Sequence, residues 1–352
     1  MRVKSATKTT TIADLPNSTL LWSAQVCFAM TLLTIAIPTY NRLYWIQKSL
    51  PAIAEQVKAV PEGVVEFLVS DNASTDGTAE YLLAAQQKYP FLRLNRNAAN
   101  IGGEAHFYQL PQISNGRYVY MIGDDDVLVP GALSAILDAL ADNPDYLVLN
   151  FDTYDPNFQT CLVPNNLGVS EDLAFNCAEE CLSHVGAMFM GFISLWVAKR
   201  EFFNLISADT YKHFSQWGMS IQCDRYFGIA RYPHGRLLAK PLLRNRQDGA
   251  FSHDYFEWFL HGGAQTLRYA VQHGILTHQI AKKLRCALLL KSGLTRIRYE
   301  RRLGIFDSHR VFGLLRRNYG DLSEFWLLGV PTIFVPCMGW MLRTVHLLRR
   351  QA

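Results

Sequence analysis

What the sequence lacks narrows it first. Its seven cysteines, Cys27, Cys161, Cys177, Cys181, Cys223, Cys286 and Cys337, include no Cys-x-x-Cys pair and are odd in number. A disulfide scaffold and a zinc ribbon are therefore not indicated, and a reducing compartment suits the chain. Neither G-x-x-x-x-G-K-[ST] nor G-x-G-x-x-G occurs, which argues against a P-loop NTPase or a dinucleotide enzyme. With 23 Gly and 14 Pro in 352 residues it is neither collagenous nor of low complexity. At 49% hydrophobic and 18% charged it is not a disordered chain either. Its length suits about two structural units.

A small net charge of +4 hides an asymmetry. Residues 281–352 hold 14 Lys/Arg against 4 Asp/Glu, leaving 20 against 26 in residues 1–280. In the basic third, cations such as Lys282, Arg285, Arg298, Arg301 and Arg317 alternate with apolar residues, as in an amphipathic helix. An uncharged run of 18 residues, 325–342, follows, with Pro331 and Pro336 inside and Trp326 and Trp340 near its ends. A spanning helix needs about 20 apolar residues. The run is therefore read as an interfacial or re-entrant element, its basic neighbours meeting anionic lipid on the cytoplasmic leaflet. A buried helical hairpin with a solvated basic face is the other reading. No nucleic-acid-binding motif accompanies the charge. At the other end, residues 20–37 are diluted by Ser23, Gln25, Thr31 and Thr34, and no signal cleavage site follows. Residues 1–29 are expected to be a disordered extension, with Met30 an alternative start.

Strand and helix signals alternate through the first 160 residues. Strands are expected at 32–37 (ended by Pro38), 64–70, 91–95, 118–122 and 146–151. Helices are expected at 44–57, 78–88, 103–114 and 130–141, the last carrying Leu133, Ile136, Leu137 and Leu140 on one face. Such alternation implies βαβ units and a mostly parallel sheet with helices on both faces. Ligands on these sheets bind beyond the carboxyl ends of the strands. The polar clusters fall there: Thr39-Tyr40-Asn41-Arg42, Asp71 through Thr78, and Gly123-Asp124-Asp125-Asp126.

Carboxylate oxygens select hard divalent cations, and Mg²⁺ usually takes one or two of them plus substrate phosphates. The acidic cluster thus suits a metal–diphosphate. Alone it equally suits a solvated turn capping the helix at Pro130. Asp76 and Thr78 could likewise simply cap the helix that follows them.

Four motifs in register, IAIPTYNR (35–42), VSDNASTDGT (69–78), NIGG (100–103) and GRYVYMIGDDDVLVPGAL (116–133), closely resemble the family 2 glycosyltransferases of GT-A fold. The GDDD form is most similar to O-antigen and capsule sugar transferases, including abequosyltransferase-like members. The likeness is strong over 32–150 and looser to about 252. It implies a GT-A domain at 30–255; the charge and hydropathy pattern adds a basic amphipathic helical region at 256–352. It also implies inverting transfer from a nucleotide-diphosphate sugar with Mg²⁺ or Mn²⁺. By motif match Pro38, Thr39, Asn41 and Arg42 would line the nucleotide, Asp71 would contact base or ribose, Asp76 shares that turn, and Asn100 and Gly102 would shape the donor pocket. Asp124 would meet ribose or metal, Asp126 would be the main metal ligand, and Asp125 is open between them.

The base that takes the acceptor's proton has no clear motif. Asp224, the only carboxylate in 213–227, a stretch read as helix, is the candidate; a surface Asp paired with Arg225 or Lys212 is the bland alternative. Glu180 and His213 are reserves, and His253 could approach the diphosphate. Trp196, Trp217 and Trp258 could stack on sugar or simply pack. The expected acceptor is a glycan or lipid-linked oligosaccharide, with the protein cytoplasmic and peripheral at the inner face of the membrane. The rivals are a metal-dependent nucleotidyltransferase, which lacks its glycine-rich phosphate loop here, and a non-catalytic GT-A-like binding protein.

Overall fold

The computed structural model describes residues 31–246 and 255–334. The expected extension at 1–29, His253, and the tail from 335 with Pro336 and Trp340 lie outside the described residues.

The first half follows the alternation in the sequence. Its elements are β1 (Leu33–Thr39), α1 (Leu43–Lys58), β2 (Val65–Asp71), α2 (Thr78–Lys88), β3 (Leu92–Arg96), α3 (Gly103–Ile113), β4 (Tyr118–Met121), β5 (Val127–Leu128), α4 (Ala132–Leu140) and β6 (Tyr146–Tyr154). All seven residues of β1 are buried, as expected for a strand covered on both faces. Helix α1 turns Ile46, Leu50, Ile53 and Val57 inward at helical spacing. Pro38 does not end its strand. It pairs in register with Ser70 of β2, while pairing of β1 with β4 stops at Ala36 and Met121, so the missing N–H falls where no ladder bond is needed.

The second half was less legible. Two short strands, β7 (Cys161–Val163) and β8 (Leu173–Phe175), precede α5 (Ala178–Val185). Residues 188–197, strand-like in sequence, form two 3₁₀ turns, Ala187–Gly191 and Ile193–Leu195, before β9 (Trp196–Lys199). The stretch 213–227 divides into α6 (Ala208–Ser215) and α7 (Ser220–Arg231). Gly218 lies between them at φ +64°, a left-handed conformation that a helix interior does not accept. Strand β10 (Gly235–Arg246) closes the sheet.

Sheet order is β3-β2-β1-β4-β9-β6-β10-β5. The β1–β2, β2–β3, β1–β4 and β6–β10 pairs are parallel; β9 runs antiparallel between β4 and β6, and β5 antiparallel against β10. A mostly parallel sheet with helices, the expected α/β class, is the result.

Beyond the sheet lie α8 (Gly263–Gln272), α9 (His278–Ala287), α10 (Leu294–Arg302), α11 (Ser308–Tyr319) and α12 (Val330–Phe334). The core continues into this layer without a break, α8 packing against α7: Leu267 and Leu315, with Leu260, Leu289 and Phe325 from the turns between the helices, belong to the same buried cluster as Ile35, Val119 and Leu149. Tyr319 donates its hydroxyl to the Leu260 carbonyl at 2.7 Å. Among the described residues no helix is long and apolar enough to cross a membrane.

Candidate active site

Three parallel strands, β1, β2 and β4, end side by side, and their exits border a cleft of about 430 Å³. Pro38, Thr39 and Arg42 line it from β1, Asn72 from β2, and Gly123 through Asp126 from β4. Helix α3 adds Gly103, His106 and Phe107; Phe192 and Ile193 form an apolar wall, and Asn245 enters from β10.

The acidic turn is drawn tight. The Asp126 amide donates to the Gly123 carbonyl at 3.2 Å, and Ser49 donates its hydroxyl to the Asp124 carbonyl at 2.7 Å. A Cβ on Gly123 would meet carboxylate oxygens of both Asp126 and Asp125, so the glycine lets the acids fold back over the strand end.

Each acid has a different set of partners. Asp124 accepts from Thr39 Oγ1 at 2.8 Å and pairs with Arg42 Nε at 2.8 Å. Asp125 pairs with Arg42 and, at 2.8 Å, with Arg246 Nη2. Asp126 accepts from Asn245 Nδ2 at 3.0 Å and from Ser194 Oγ; among the described residues no Lys or Arg pairs with it. Burial pushes the Asp124 carboxyl up to about 6, against the pull of Arg42. It pushes Asp126 to about 7, with the neighbouring Asp125 charge adding to the effect. Burial thus leaves two adjacent carboxyls of the turn far readier to hold a proton than exposed aspartates would be.

The carboxylates of the turn are oxygen donors of the kind a hard divalent ion takes. No group of three or more His, Cys, Asp or Glu gathers to enclose an ion among the described residues. An ion here would complete its shell from phosphate oxygens and water, as Mg²⁺ ordinarily does.

Other expected site residues divide into two groups. Asn100 and Gly102 line the cleft. They are fixed by an asparagine ladder in which Asn72 Nδ2 donates to Asn100 Oδ1 at 2.8 Å and Asn97 Nδ2 to Asn72 Oδ1 at 2.9 Å. Asn41, Asp71 and Asp76 stand behind it. Asn41 Oδ1 accepts the Thr75 amide at 2.7 Å. Asp71 accepts the Ser74 amide at 3.0 Å and pairs with Arg96 at 3.3 Å. Asp76 accepts the amides of Leu43 at 3.0 Å and Thr78 at 3.1 Å, tying the starts of α1 and α2 together.

Asp224 is placed differently from the expectation. It is buried in α7 away from the cleft lining. Its carboxylate accepts from the amides of Asn204 at 3.0 Å, Leu205 at 2.6 Å and Ile206 at 3.3 Å, beside the buried Arg225. Its oxygens are occupied in holding a chain reversal, a placement that does not suit a base. Nor is it the surface residue of the bland alternative. Glu180 accepts the Asn176 amide at 2.8 Å on the exposed start of α5, and His213 packs edge-on to Trp217. Trp196 is core; Trp217 packs against His261, and Trp258 against Gly218.

Several cleft residues carried no signal in the sequence. His106 is buried, with Nε2 2.7 Å from Ser70 Oγ, and burial lowers its imidazole to about 4 despite Asp71, so it is neutral. Ser194, Asn245 and Arg246 come from far along the chain. Glu104, beside the lining residues of α3, accepts the Ser220 amide at 3.2 Å and is pushed up to about 7 by burial.

With this geometry in view, the comparisons fall into place. The sequence profile described as "Glycosyl transferase family 2" matches residues 34–232. The abequosyltransferase RfbV of Salmonella typhimurium is 36% identical over 115 residues, 32% of this chain and 34% of that protein. An uncharacterized protein of Mycobacterium tuberculosis, MT1568, is 33% identical over 109 residues, 31% of this chain and 32% of its own length. The matches thus span about a third of these relatives. In fold, the chain is similar to S. aureus TarS 1-349 in complex with UDP-GlcNAc, with TM-score 0.55 and 14% identity, over 85% of this chain and 92% of that one. It is also similar to the mannosyltransferase PcManGT from Pyrobaculum calidifontis in complex with GDP-Man and Mn²⁺, with TM-score 0.52 and 18% identity, over 91% and 86%.

Proposed function

The chain belongs to glycosyl transferase family 2, and on that premise we propose that it moves a sugar, with inversion, from a nucleotide-diphosphate sugar to a glycan or lipid-linked oligosaccharide of the cell surface. The observation that carries this reading is the folded-back turn 123–126: two buried carboxyls near neutrality, in a cleft at the carboxyl ends of parallel strands.

Asp126, with Asp124, would hold Mg²⁺ or Mn²⁺. The bound ion would supply charge neutralisation for the departing diphosphate. The chain's own residues do the remaining work. Thr39 fixes the Asp124 side chain, and Ser194 and Asn245 fix that of Asp126, so the acids need little reorganisation when charge develops. The asparagine ladder holds Asn100 and Gly102 at the donor side, and Phe192 and Ile193 exclude water from the opposite wall. Similarity to RfbV, together with the fold shared with TarS and PcManGT, supports a nucleotide-sugar donor and a surface-glycan acceptor.

A lipid-held acceptor is also favoured by the helical layer. Leu303, Ile305, Trp326, Leu327 and Phe334 are exposed there in a region rich in arginine, including Arg298, Arg301 and Arg302. That combination suits peripheral binding at the anionic inner face of the cytoplasmic membrane.

Calorimetric titration with UDP, GDP, CDP and dTDP, with and without Mn²⁺, followed by a donor-sugar screen for diphosphate release, tests the reading. Metal-dependent binding of a nucleoside diphosphate and turnover of its sugar are expected. Absence of both across the panel would overturn it.

A further inference from the structure

Two of the three adjacent acids, Asp124 and Asp125, meet arginines at this turn, and the two arginines are not equivalent. Arg246 lies with its guanidinium 3.9 Å from the centre of the Trp45 ring, its side chain 6% exposed, and pairs with Asp125 at 2.8 Å. Stacking and burial fix it. Arg42 lies at the mouth of the cleft, its side chain 35% exposed. Its Nε pairs with Asp124 Oδ1 at 2.8 Å and its Nη2 with the same Asp125 oxygen that Arg246 holds.

Asp124 therefore has no uncommitted oxygen. Thr39 donates to Oδ2 and Arg42 covers Oδ1. A divalent cation arriving at Asp124 would have to share that oxygen with a guanidinium, and two cations so close in a cleft of low dielectric repel strongly. Asp125 is under no such conflict. Pinned by the fixed Arg246, it can keep hold of Arg42 while the rest of that side chain turns. The one nearby group that needs a cation and would be delivered with the metal is the donor's diphosphate, and a guanidinium matches phosphate oxygens well.

Resting on the nucleotide-sugar reading above, we propose that Arg42 is a resident counter-ion that neutralises Asp124 until a nucleoside diphosphate enters, then pivots on Asp125 to the diphosphate, so that metal and diphosphate bind together and the metal alone binds poorly. Asp125 is in this reading neither a metal ligand nor a ribose contact but the positioning residue that keeps Arg42 in reach. Arg246 and Trp45 hold Asp125 in turn.

The test reads Mn²⁺ binding by electron paramagnetic resonance in the absence of nucleotide, and nucleoside diphosphate binding by calorimetry at saturating Mn²⁺. Arg42→Gln is expected to tighten metal-only binding by about three- to fivefold, since it removes a competitor of the strength of a part-exposed ion pair. The same variant is expected to weaken diphosphate binding by about tenfold. Opposite signs in one variant distinguish the exchange from a purely structural arginine, whose loss would weaken both. Arg42→Lys, which keeps the charge, is expected to leave metal-only affinity within about twofold of the wild type. Should Arg42→Gln fail to fold, the wild type still decides. Saturating nucleoside diphosphate is expected to raise Mn²⁺ affinity at least about tenfold, and the nucleoside alone to leave it unchanged. Metal-only affinity that is unchanged or weaker in folded Arg42→Gln, or equal Mn²⁺ affinity with diphosphate and nucleoside, overturns the exchange while leaving the transferase reading intact. Failure of the wild type to bind any nucleoside diphosphate overturns both.

Discussion

A Cβ on Gly123 would lie 3.0 Å from Asp126 Oδ2. The absent side chain and the carboxylate therefore compete for one space. Gly123→Ala is expected to push the Asp126 side chain outward, at a stability cost of about 1–3 kcal/mol. Metal-dependent nucleotide affinity should fall by at least about tenfold. Denaturant melts and calorimetry check both; a variant with wild-type affinity would show that the folded-back turn is not what the ligand needs.

Asp126→Asn should separate stability from function. At pH 8 the wild type must ionise a buried carboxyl whose affinity for protons is raised to about 7. Asparagine removes that burden and keeps acceptor and donor atoms for Asn245 and Ser194. The variant is expected to melt above the wild type at pH 8, the gap narrowing as pH falls below about 7 and closing only below about 3.8, where the carboxyl is protonated in the unfolded chain as well. Turnover should drop by about 100-fold or more, together with its Mn²⁺ dependence. Thermal scans over pH beside rate measurements decide it, and retained activity removes Asp126 from the metal site.

Asp224→Ala is expected to fail through folding. Removing the carboxylate strips three backbone amides of their acceptor and leaves Arg225 buried without its ion partner. Losses of about 3–5 kcal/mol follow from uncovering a buried charge in this way. Equilibrium unfolding measures the loss. A variant as stable as the wild type but catalytically dead would return Asp224 to the role of base.

Glu104 supplies a pH signature of its own. Its folded-state value of about 7 lies above the ordinary 4.5, so folding favours the protonated acid. The stability it contributes is complete below about 4.5 and is lost as pH rises through about 7. Glu104→Gln keeps an acceptor for the Ser220 amide and should flatten the melting temperature across that window. An unchanged slope would mean that the carboxyl is ionised in the fold throughout.

Contact with lipid is checked by vesicle flotation. The full chain is expected to float with vesicles containing anionic phosphatidylglycerol and to remain below with phosphatidylcholine alone. Ile305→Glu and Leu327→Glu change residues 61% and 69% exposed. They should weaken flotation several-fold while leaving melting and nucleotide binding as they were. Equal flotation of the double variant would locate any lipid contact elsewhere.

The legible part of the chain was the part whose signals are local. Apolar β-branched runs ending in Thr39, Asp71 and Gly123 announced parallel strands and a site at their tips, and helix spacing gave α1, α2 and α4 to within two residues at either end. Partnerships across long stretches of chain were not legible. Ser194 and Asn245 reach Asp126 from 68 and 119 residues away, and nothing in their neighbourhoods marks them. Asn41 and Asp76 are a different case. They belong to clusters at the right place, yet their side chains are spent on nearby amides, as short polar side chains often are. Asp224 is the only acid in its stretch, and composition does not tell an inward-facing helix residue from an outward one where Gly218 resets the helical phase.

One buried layer runs from Ile35 in the first strand to Phe325 near the end of the described chain. A cut after β10 would bare Leu267 and its neighbours in α8 on one fragment and the face of α7 that they cover on the other, so neither piece could keep its interior dry. The half that carries the acidic turn is thus no portable module to be grafted without its companion, and drift in the C-terminal helices must satisfy the core they share with that half as well as whatever they touch outside.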